Sequence, residues 1–384
     1  MHKLIIITML FVTMVVQAQK PITFQSADSI SYQCYLVGDW DKLINFGNEA
    51  ILQGVEFKTL YQRMGYAYFV NKNYFAAQSK YEKALKFDES DEGTRLYLYY
   101  CGINTGDDAA TGFHANKMQK ETQQKLGLKP FKIVSAVDVE YNYKNNLVNL
   151  RSNPNYYRLG ISTKISHRLS LYQTVSQYSQ TVNSSTYTTQ TEYYVALNWA
   201  MNKHSALDIG YHYVDTKVDT QTFPGNMFFS RLSTKINRFD IGINGSLLKN
   251  QMETTKQIGL SAGIVLPGKT NIHLKSSFNT LRNNDSTRLI FTQAIGAQIL
   301  KPLWVEANVT LGNLKNYNDN NGLYLYNSLD ATLFRTGLTA FLNISKKITF
   351  VGNYTYDKKE LIYTDKTIYN YNQHSFSTGI IWKL

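Results

Sequence analysis

The chain closes on Tyr371-Asn-Gln-His-Ser-Phe-Ser-Thr-Gly-Ile-Ile-Trp-Lys-Leu384. Phe376, Thr378, Ile380, Trp382 and Leu384 fall on one parity, and Ser375, Ser377, Gly379, Ile381 and Lys383 on the other. This is an alternation of period two that runs to the final residue, with an aromatic near the end. A half-buried soluble strand also alternates, but it seldom stops at a chain end with Trp on its apolar side. A strand with lipid on one face and a wet lumen on the other has this pattern.

The same period recurs back to about Phe131. Val137, Val139, Tyr141 and Tyr143 alternate with Asp138, Glu140 and Asn142; Tyr193, Val195, Leu197 and Trp199 with Glu192, Tyr194, Ala196 and Asn198; Phe239, Ile241 and Ile243 with Asp240, Gly242 and Asn244. Connections of two unequal kinds separate the segments. Short ones include Ser166-His167-Arg168, Asn202-Lys203-His204, Asn237-Arg238, Pro267-Gly268-Lys269, Lys301-Pro302 and Lys346-Lys347. Longer ones are expected over 144–155, 181–189, 217–225, 249–256, 282–287, 315–328 and 358–370. Outer-membrane barrels have short periplasmic turns and longer outer loops. The pattern predicts a transmembrane antiparallel β-barrel over 131–384 with about 14 strands, in a range of 12–16. An even number returns both barrel ends to the periplasmic side. Closure is required because an open sheet edge cannot face hydrocarbon.

Composition agrees. Mean hydropathy is only −0.32, as expected when alternate residues alone meet lipid. Aromatics make up 14% of residues and Tyr accounts for 29, which suits rings placed at the headgroup level. Residues 1–18 read as a secretory signal: Lys3, the apolar run Leu4–Val16, then Val16-Gln17-Ala18 as a cleavage site. No Cys follows that site, so no lipid anchor is expected. The formal charge of +12 falls to +11 when Lys3 leaves with the signal. Residues 19–130 carry 13 basic and 13 acidic side chains, so the excess sits in the barrel segment. Many of its bases fall in tight turns (Arg168, Lys203, Arg238, Lys269, Lys301, Lys346 and Lys347). That placement favours lipid phosphates or simple solvation over nucleic acid.

Residues 19–130 read as helical and repetitive. Tyr61, Met64-Gly65, Tyr68, Tyr74, Ala77, Tyr81 and Ala84 match the tetratricopeptide (TPR) pattern of large aromatics and small contact residues, with Lys72-Asn73 as the turn. One TPR period of about 34 residues earlier, Gly38-Asp39-Trp40, Leu43 and Ala50 make a fair copy. One period later, Gly106-Asp107-Asp108 makes a degenerate one. Such arrays present a concave groove, on which Gln62, Tyr66 and Phe69 are the expected partner-binding residues. The alternative is a small packed cap whose aromatics are core. Cys34 and Cys101 lie about two repeats apart, too far for a disulfide, and are expected to pack as small apolar residues.

The lumen parity carries acids at Asp138, Glu140, Glu192, Asp208, Asp240 and Glu306. It carries bases at Arg158, Lys164, Arg231, Lys235, Lys275 and Arg335, with Lys383 at the end. Neighbours of opposite sign, Asp138/Glu140 with Arg158 and Glu306 with Arg335, predict either a stiffening salt-bridge network or a conduit for a hydrophilic substrate. Asp208 and His212 share a face without a Ser. His374-x-Phe376 has Phe where lipid A deacylase barrels carry Ser. No metal spacing or nucleotide loop occurs, so neither catalytic residue nor cofactor is expected.

The whole layout, a signal, a short TPR array and a terminal barrel, resembles outer-membrane proteins with periplasmic TPRs, of which exopolysaccharide exporters are one class. The resemblance implies an outer-membrane transport or secretion component of a gram-negative bacterium. Its periplasmic helical module would dock a protein partner or the exported polysaccharide. The alternatives are a structural or assembly protein with a plugged barrel and, behind it, a lipid-modifying enzyme.

Overall fold

The computed structural model describes residues 21–147, 151–182, 185–251, 253–266, 270–283, 286–328, 330–362 and 367–384. The signal segment and the Pro267-Gly268-Lys269 turn lie outside these. The chain forms two compact units, Met1–Cys101 and Gly102–Leu384.

The first unit is built of helices α1 (Phe24–Val37), α2 (Trp40–Leu52), α3 (Lys58–Val70), α4 (Tyr74–Leu85) and the start of α5 (Glu92–Thr105). Helix α6 (Asp108–Lys117) follows α5 as α4 follows α3. The three turns share one construction. Gly38, Lys72 and Gly106, evenly spaced along the chain, take left-handed backbone at φ 75°, 59° and 62°. The next residue, Asp39, Asn73 or Asp107, accepts a hydrogen bond from the backbone N–H three residues on, at 3.2, 3.3 and 3.0 Å. Each thereby satisfies an orphan donor of its helix. Asn73→Ala is expected to destabilise α4 by about 1 kcal/mol, read as faster hydrogen exchange of its first-turn amides.

Small residues set the helix spacing. Leu43, Ala50, Ala77 and Ala84 are fully buried, and at Gly65 a side chain would stand 3.0 Å from the Tyr81 ring. Cys34 packs with Leu43 and Ala67, and Cys101 with Ala77, Tyr81 and Leu98, in separate apolar clusters. Burial pushes the Cys101 thiol up to about 12.

The second unit begins with the end of α5, α6 and α7 (Lys120–Lys125). Fourteen strands then close a barrel. In chain order they are β1 (Lys132–Asn146), β2 (Asn155–Lys164), β3 (Leu169–Val182), β4 (Thr186–Ala200), β5 (Ser205–Val218), β6 (Gln221–Ile236) and β7 (Phe239–Asn250). After these come β8 (Thr254–Val265), β9 (His273–Arg282), β10 (Thr287–Leu300), β11 (Leu303–Leu311), β14 (Ala331–Asn343), β15 (Ile348–Ile362) and β16 (Ile368–Lys383). A separate two-residue pair, β12 (Asn318–Asp319) and β13 (Tyr324–Leu325), lies between β11 and β14. All barrel neighbours are antiparallel, and β1 closes on β16 from Ala136↔Lys383 to Asn146↔Gln373. Tyr371–Lys383 thus lies within the strand that closes the barrel.

The expected outward parity is the exposed one. Val139, Tyr157, Leu159, Ile209, Ile241, Ile243, Phe278, Phe376 and Ile380 all point out. Ile258 is 66% and Leu260 60% exposed. An apolar belt of this extent is incompatible with water and suited to hydrocarbon. Trp199 and Trp382 are exposed near the tight-turn end, as headgroup-level anchors are. No helix among the described residues is long and apolar enough to cross a membrane. Ile243→Arg, on this face, is expected to cost about 2–4 kcal/mol if it lies near the bilayer midplane, measured by urea unfolding in lipid vesicles.

The connection lengths correct the expectation at one end. The short turns within the described residues stand as expected. Most of the long loops are instead strand: β5–β6 joins through Asp219-Thr220, with Asp219 at φ 50°, and only three residues separate β3 from β4 and β7 from β8. Their Thr- and Tyr-rich flanks have high strand propensity and extend the ladders past the apolar belt. Among the described residues the longest excursion is between β11 and β14.

Candidate functional site: the lumen and its inward-folded loop

At the end of β11 the chain leaves the wall at Gly312, whose φ is 120°. A Cβ there would stand 2.3 Å from the Leu289 carbonyl oxygen, so only glycine allows the turn. The segment returns at Ala331 as β14. Between these points it folds into the lumen.

Its foot is apolar: Leu314 and Tyr317 pack with Leu281 and Ile290, and Tyr326 packs against them. Beyond the foot, polar groups tie it to strands on every side. On β1 and β2, the Tyr324 hydroxyl donates to Glu140 at 3.1 Å and accepts from Arg158 at 3.0 Å. The guanidinium also lies over the Tyr324 ring, 5.2 Å from its centroid. On β4 and β5, the Tyr194 hydroxyl donates to the Asn321 carbonyl at 2.8 Å, and His212 Nδ1 lies 2.8 Å from the Gly322 carbonyl. On β7 and β8, the Asn318 amides bond Ser246 and Gln257. On β14, Arg335 bonds the Tyr326 hydroxyl and covers its ring at 4.9 Å. Inward backbone needs such partners, because an unpaired buried amide costs as much as a lost hydrogen bond.

The return limb carries a buried ion pair. Asp330 accepts two bonds from Arg151, from Nε at 2.8 Å and Nη2 at 2.9 Å, and a third from the Tyr371 hydroxyl at 2.7 Å. Both charged side chains are only 6% exposed. Arg151 belongs to the β1–β2 connection, so two connections at the same end of the barrel are pinned to each other and to β16.

A cavity of about 1150 Å³ remains between the loop and the wall. Its lining combines tyrosines (Tyr156, Tyr172, Tyr178), amides (Asn142, Gln257, Asn279) and charges of both signs. Polar rings and amides of this kind bind hydroxyl-rich solutes by stacking and paired hydrogen bonds.

The expected lumen residues fall into separate groups. Arg158 pairs with Glu140 at 2.7 Å and Asp138 at 3.7 Å, as the sequence suggests. Glu192 accepts from Ser176 at 2.9 Å and lies 3.4 Å from His212. Asp208 accepts from Asn198 and from Asn321 of the loop. Arg231 meets Asp240 at 3.8 Å. Lys275 and Glu306 both line the cavity. Lys164 stands at the tight-turn end opposite Lys132 and Ser170. Lys235 donates to the Gly106 carbonyl at 2.7 Å. One expected pair is corrected: Glu306 stands opposite Thr339, and Thr310 opposite Arg335. Arg335 pairs instead with Asp357 at 3.1 Å, because the strand register sets its neighbour on β15.

At the tight-turn end of this unit α6 and α7 rest on barrel turns. Gly112 allows the approach, since a Cβ there would meet the His167 carbonyl oxygen at 2.3 Å, and His167 Nε2 lies 3.0 Å from Gln123 Oε1. Burial holds the Asp107 carboxyl above the ordinary range, against the pull of Lys235.

In the first unit Gln62 donates to Thr94 at 2.9 Å. Tyr66 meets Tyr35, Trp40 and Tyr97 edge-on at 5.4, 5.4 and 5.7 Å, and Phe69 meets Tyr74 and Tyr97, both at 5.3 Å. All three are half-buried, so they form one aromatic floor with a polar edge. His374 faces outward, 2.8 Å from the Tyr354 hydroxyl, while Ser375 is buried on the opposite face. These two form no nucleophile–base pair. No cluster of metal-ligating side chains occurs among the described residues.

No protein-family model matches the sequence. No curated protein matches it either. The chain is distantly similar to solved structures. A bacterial polysaccharide outer membrane secretin is 7% identical, over 66% of this chain and 100% of that one, with a TM-score of 0.38. The CymD monoaromatic hydrocarbon channel is 8% identical over 67% and 90%, with a TM-score of 0.43. The translocator domain of the autotransporter NalP from Neisseria meningitidis is 12% identical over 69% and 95%, with a TM-score of 0.35. Likenesses this distant concern the barrel fold, and what those proteins carry stays with them.

Proposed function

We propose that this chain is a transport or secretion component of the outer membrane of a gram-negative bacterium, with its helical units in the periplasm. The observation that carries the reading is the lumen. A polar cavity runs beside a folded-in loop, inside a wall whose outside is apolar. The loop narrows the path and lines it, so it selects what passes. The evenly spaced turns at 38, 72 and 106 support a short TPR array. Its aromatic floor around Tyr66 is the docking place for a periplasmic protein or an exported polymer. The tyrosine- and amide-rich lining favours a hydroxyl-rich cargo over a strongly charged one.

The test is conductance of the full mature chain in planar bilayers. Ohmic channels that sugar oligomers block reversibly are expected, and a sealed barrel sinks the transport reading. The second reading, a structural or assembly protein, draws on how the loop is bonded around the circumference. A sealed barrel that still recovers a stable periplasmic partner through residues 21–101 is its signature.

A further inference from the structure

The outward face of β7, β8 and β9 ends, at the loop-bearing end, in an unusual arrangement. Lys256 and Arg282 are register partners on neighbouring strands, both exposed on the lipid-facing parity. Directly opposed side chains in such a ladder are about 5 Å apart at Cβ, and like charges there destabilise the pair. Lys249 is opposite Thr254, two residues from Lys256 on the same face, and so occupies the diagonal position. Three cations therefore meet within one diagonal step.

Nothing among the described residues neutralises them. The outward positions of β6 to β10 carry no acid. Glu253, in the β7–β8 turn, gives its carboxylate to the side-chain amides of Asn283 and Asn316. Asp285, in the β9–β10 connection, lies outside the described residues. Immediately toward the barrel's middle the same face is apolar: Leu247 is opposite Lys256, Ile258 follows it, and Leu289 is on β10. A ligand for this place needs an anionic head and a greasy body.

We propose that Lys249, Lys256 and Arg282 form a binding site for the phosphate of a membrane lipid, seated at the outer-leaflet end of the barrel with its acyl chains on Leu247, Ile258 and Leu289. The apolar floor selects lipid-borne phosphate over the free ion, and a doubly charged phosphomonoester answers the three cations better than a diester. The assignment of leaflet rests on the outer-membrane reading above, while the site itself does not depend on conduction.

Native mass spectrometry of the full mature chain with added lipid A tests it. Wild type is expected to retain lipid A, and each charge removed by K249Q, K256Q or R282Q to lower retention about fivefold. Dephosphorylated lipid A should bind no better to wild type than lipid A does to the triple variant, and excess inorganic phosphate should not displace the lipid. Unchanged retention by the triple variant, equal binding of dephosphorylated lipid, or displacement by inorganic phosphate would each overturn the proposal. Retained heat-modifiable mobility on gels checks that the variants keep their barrel, and the milder single variants give the reading if the triple one does not fold. A barrel that retains lipid A but does not conduct refutes the transport reading alone.

Discussion

Replacing residues 314–328 by a short Gly-Ser linker is expected to raise single-channel conductance several-fold and to weaken block by sugar oligomers. The barrel itself should survive, because β11 and β14 pair directly from Leu303↔Leu342 to Leu311↔Phe334 without help from the segment between them. An eight-stranded barrel is filled by its own side chains, whereas barrels of about 16–18 strands leave an aqueous channel. With fourteen strands this wall encloses room that side chains do not fill, and the inward-folded loop occupies much of it. Planar-bilayer recordings of both forms read the difference. Equal conductance would show that the loop does not bound the path. A milder version is Tyr324→Phe, which keeps the ring beneath Arg158 but removes the hydroxyl between Glu140 and Arg158. Its expected signature is more frequent switching between conductance levels, with little change in the largest level.

Asp330→Ala should be the most destabilising single change in the loop, by about 3–5 kcal/mol, because it leaves the Arg151 guanidinium buried without its carboxylate. Tyr371 would lose its acceptor in the same step. The paired replacement Arg151→Met with Asp330→Leu removes both charges, and is expected to be much closer to wild type, since a buried ion pair is often worth no more than well-packed apolar groups. Urea unfolding of the barrel in lipid vesicles measures both. If the single and double variants lose equal stability, the cost is one of packing and the ion pair does not hold the loop's return limb.

Much of the wall was legible from residue order. The period-two alternation is local, and each strand carries its own copy. Val139, Ile241, Phe278 and Ile380 could be placed outside without knowing any neighbour. The tight turns were legible for the same reason: Asn237-Arg238 and Lys346-Lys347 interrupt one alternation and begin another. The loops at the far end are shorter than their composition suggests, because Thr-containing segments such as 181–189 and 217–225 are polar enough to suggest coil and β-prone enough to continue the ladder. The segment 313–327 did leave a trace, in the form of Tyr317, Tyr324 and Tyr326 among six asparagines. A solvent-exposed loop has no need of three large rings.

The partners of the lumen charges were another matter. Arg158 with Glu140 could be foreseen, since adjacent strands joined by a single connection share a register. Arg151 with Asp330 could not, because they sit on two connections 179 residues apart, and Arg335 falls beside Asp357 and not Glu306 because strand register decides which residues face each other.

Residue order by itself determined that this chain alternates between oil and water some fourteen times and that helices precede the alternation, because both signals are written at the spacing of the backbone repeat. Only the tertiary structure decided that the 312–330 segment lies inside the cylinder. That placement depends on Tyr324 meeting Glu140 and Arg158, and Asp330 meeting Arg151, across separations of 166 to 184 residues. Contacts so distant in sequence exist only once the last strand has paired with the first.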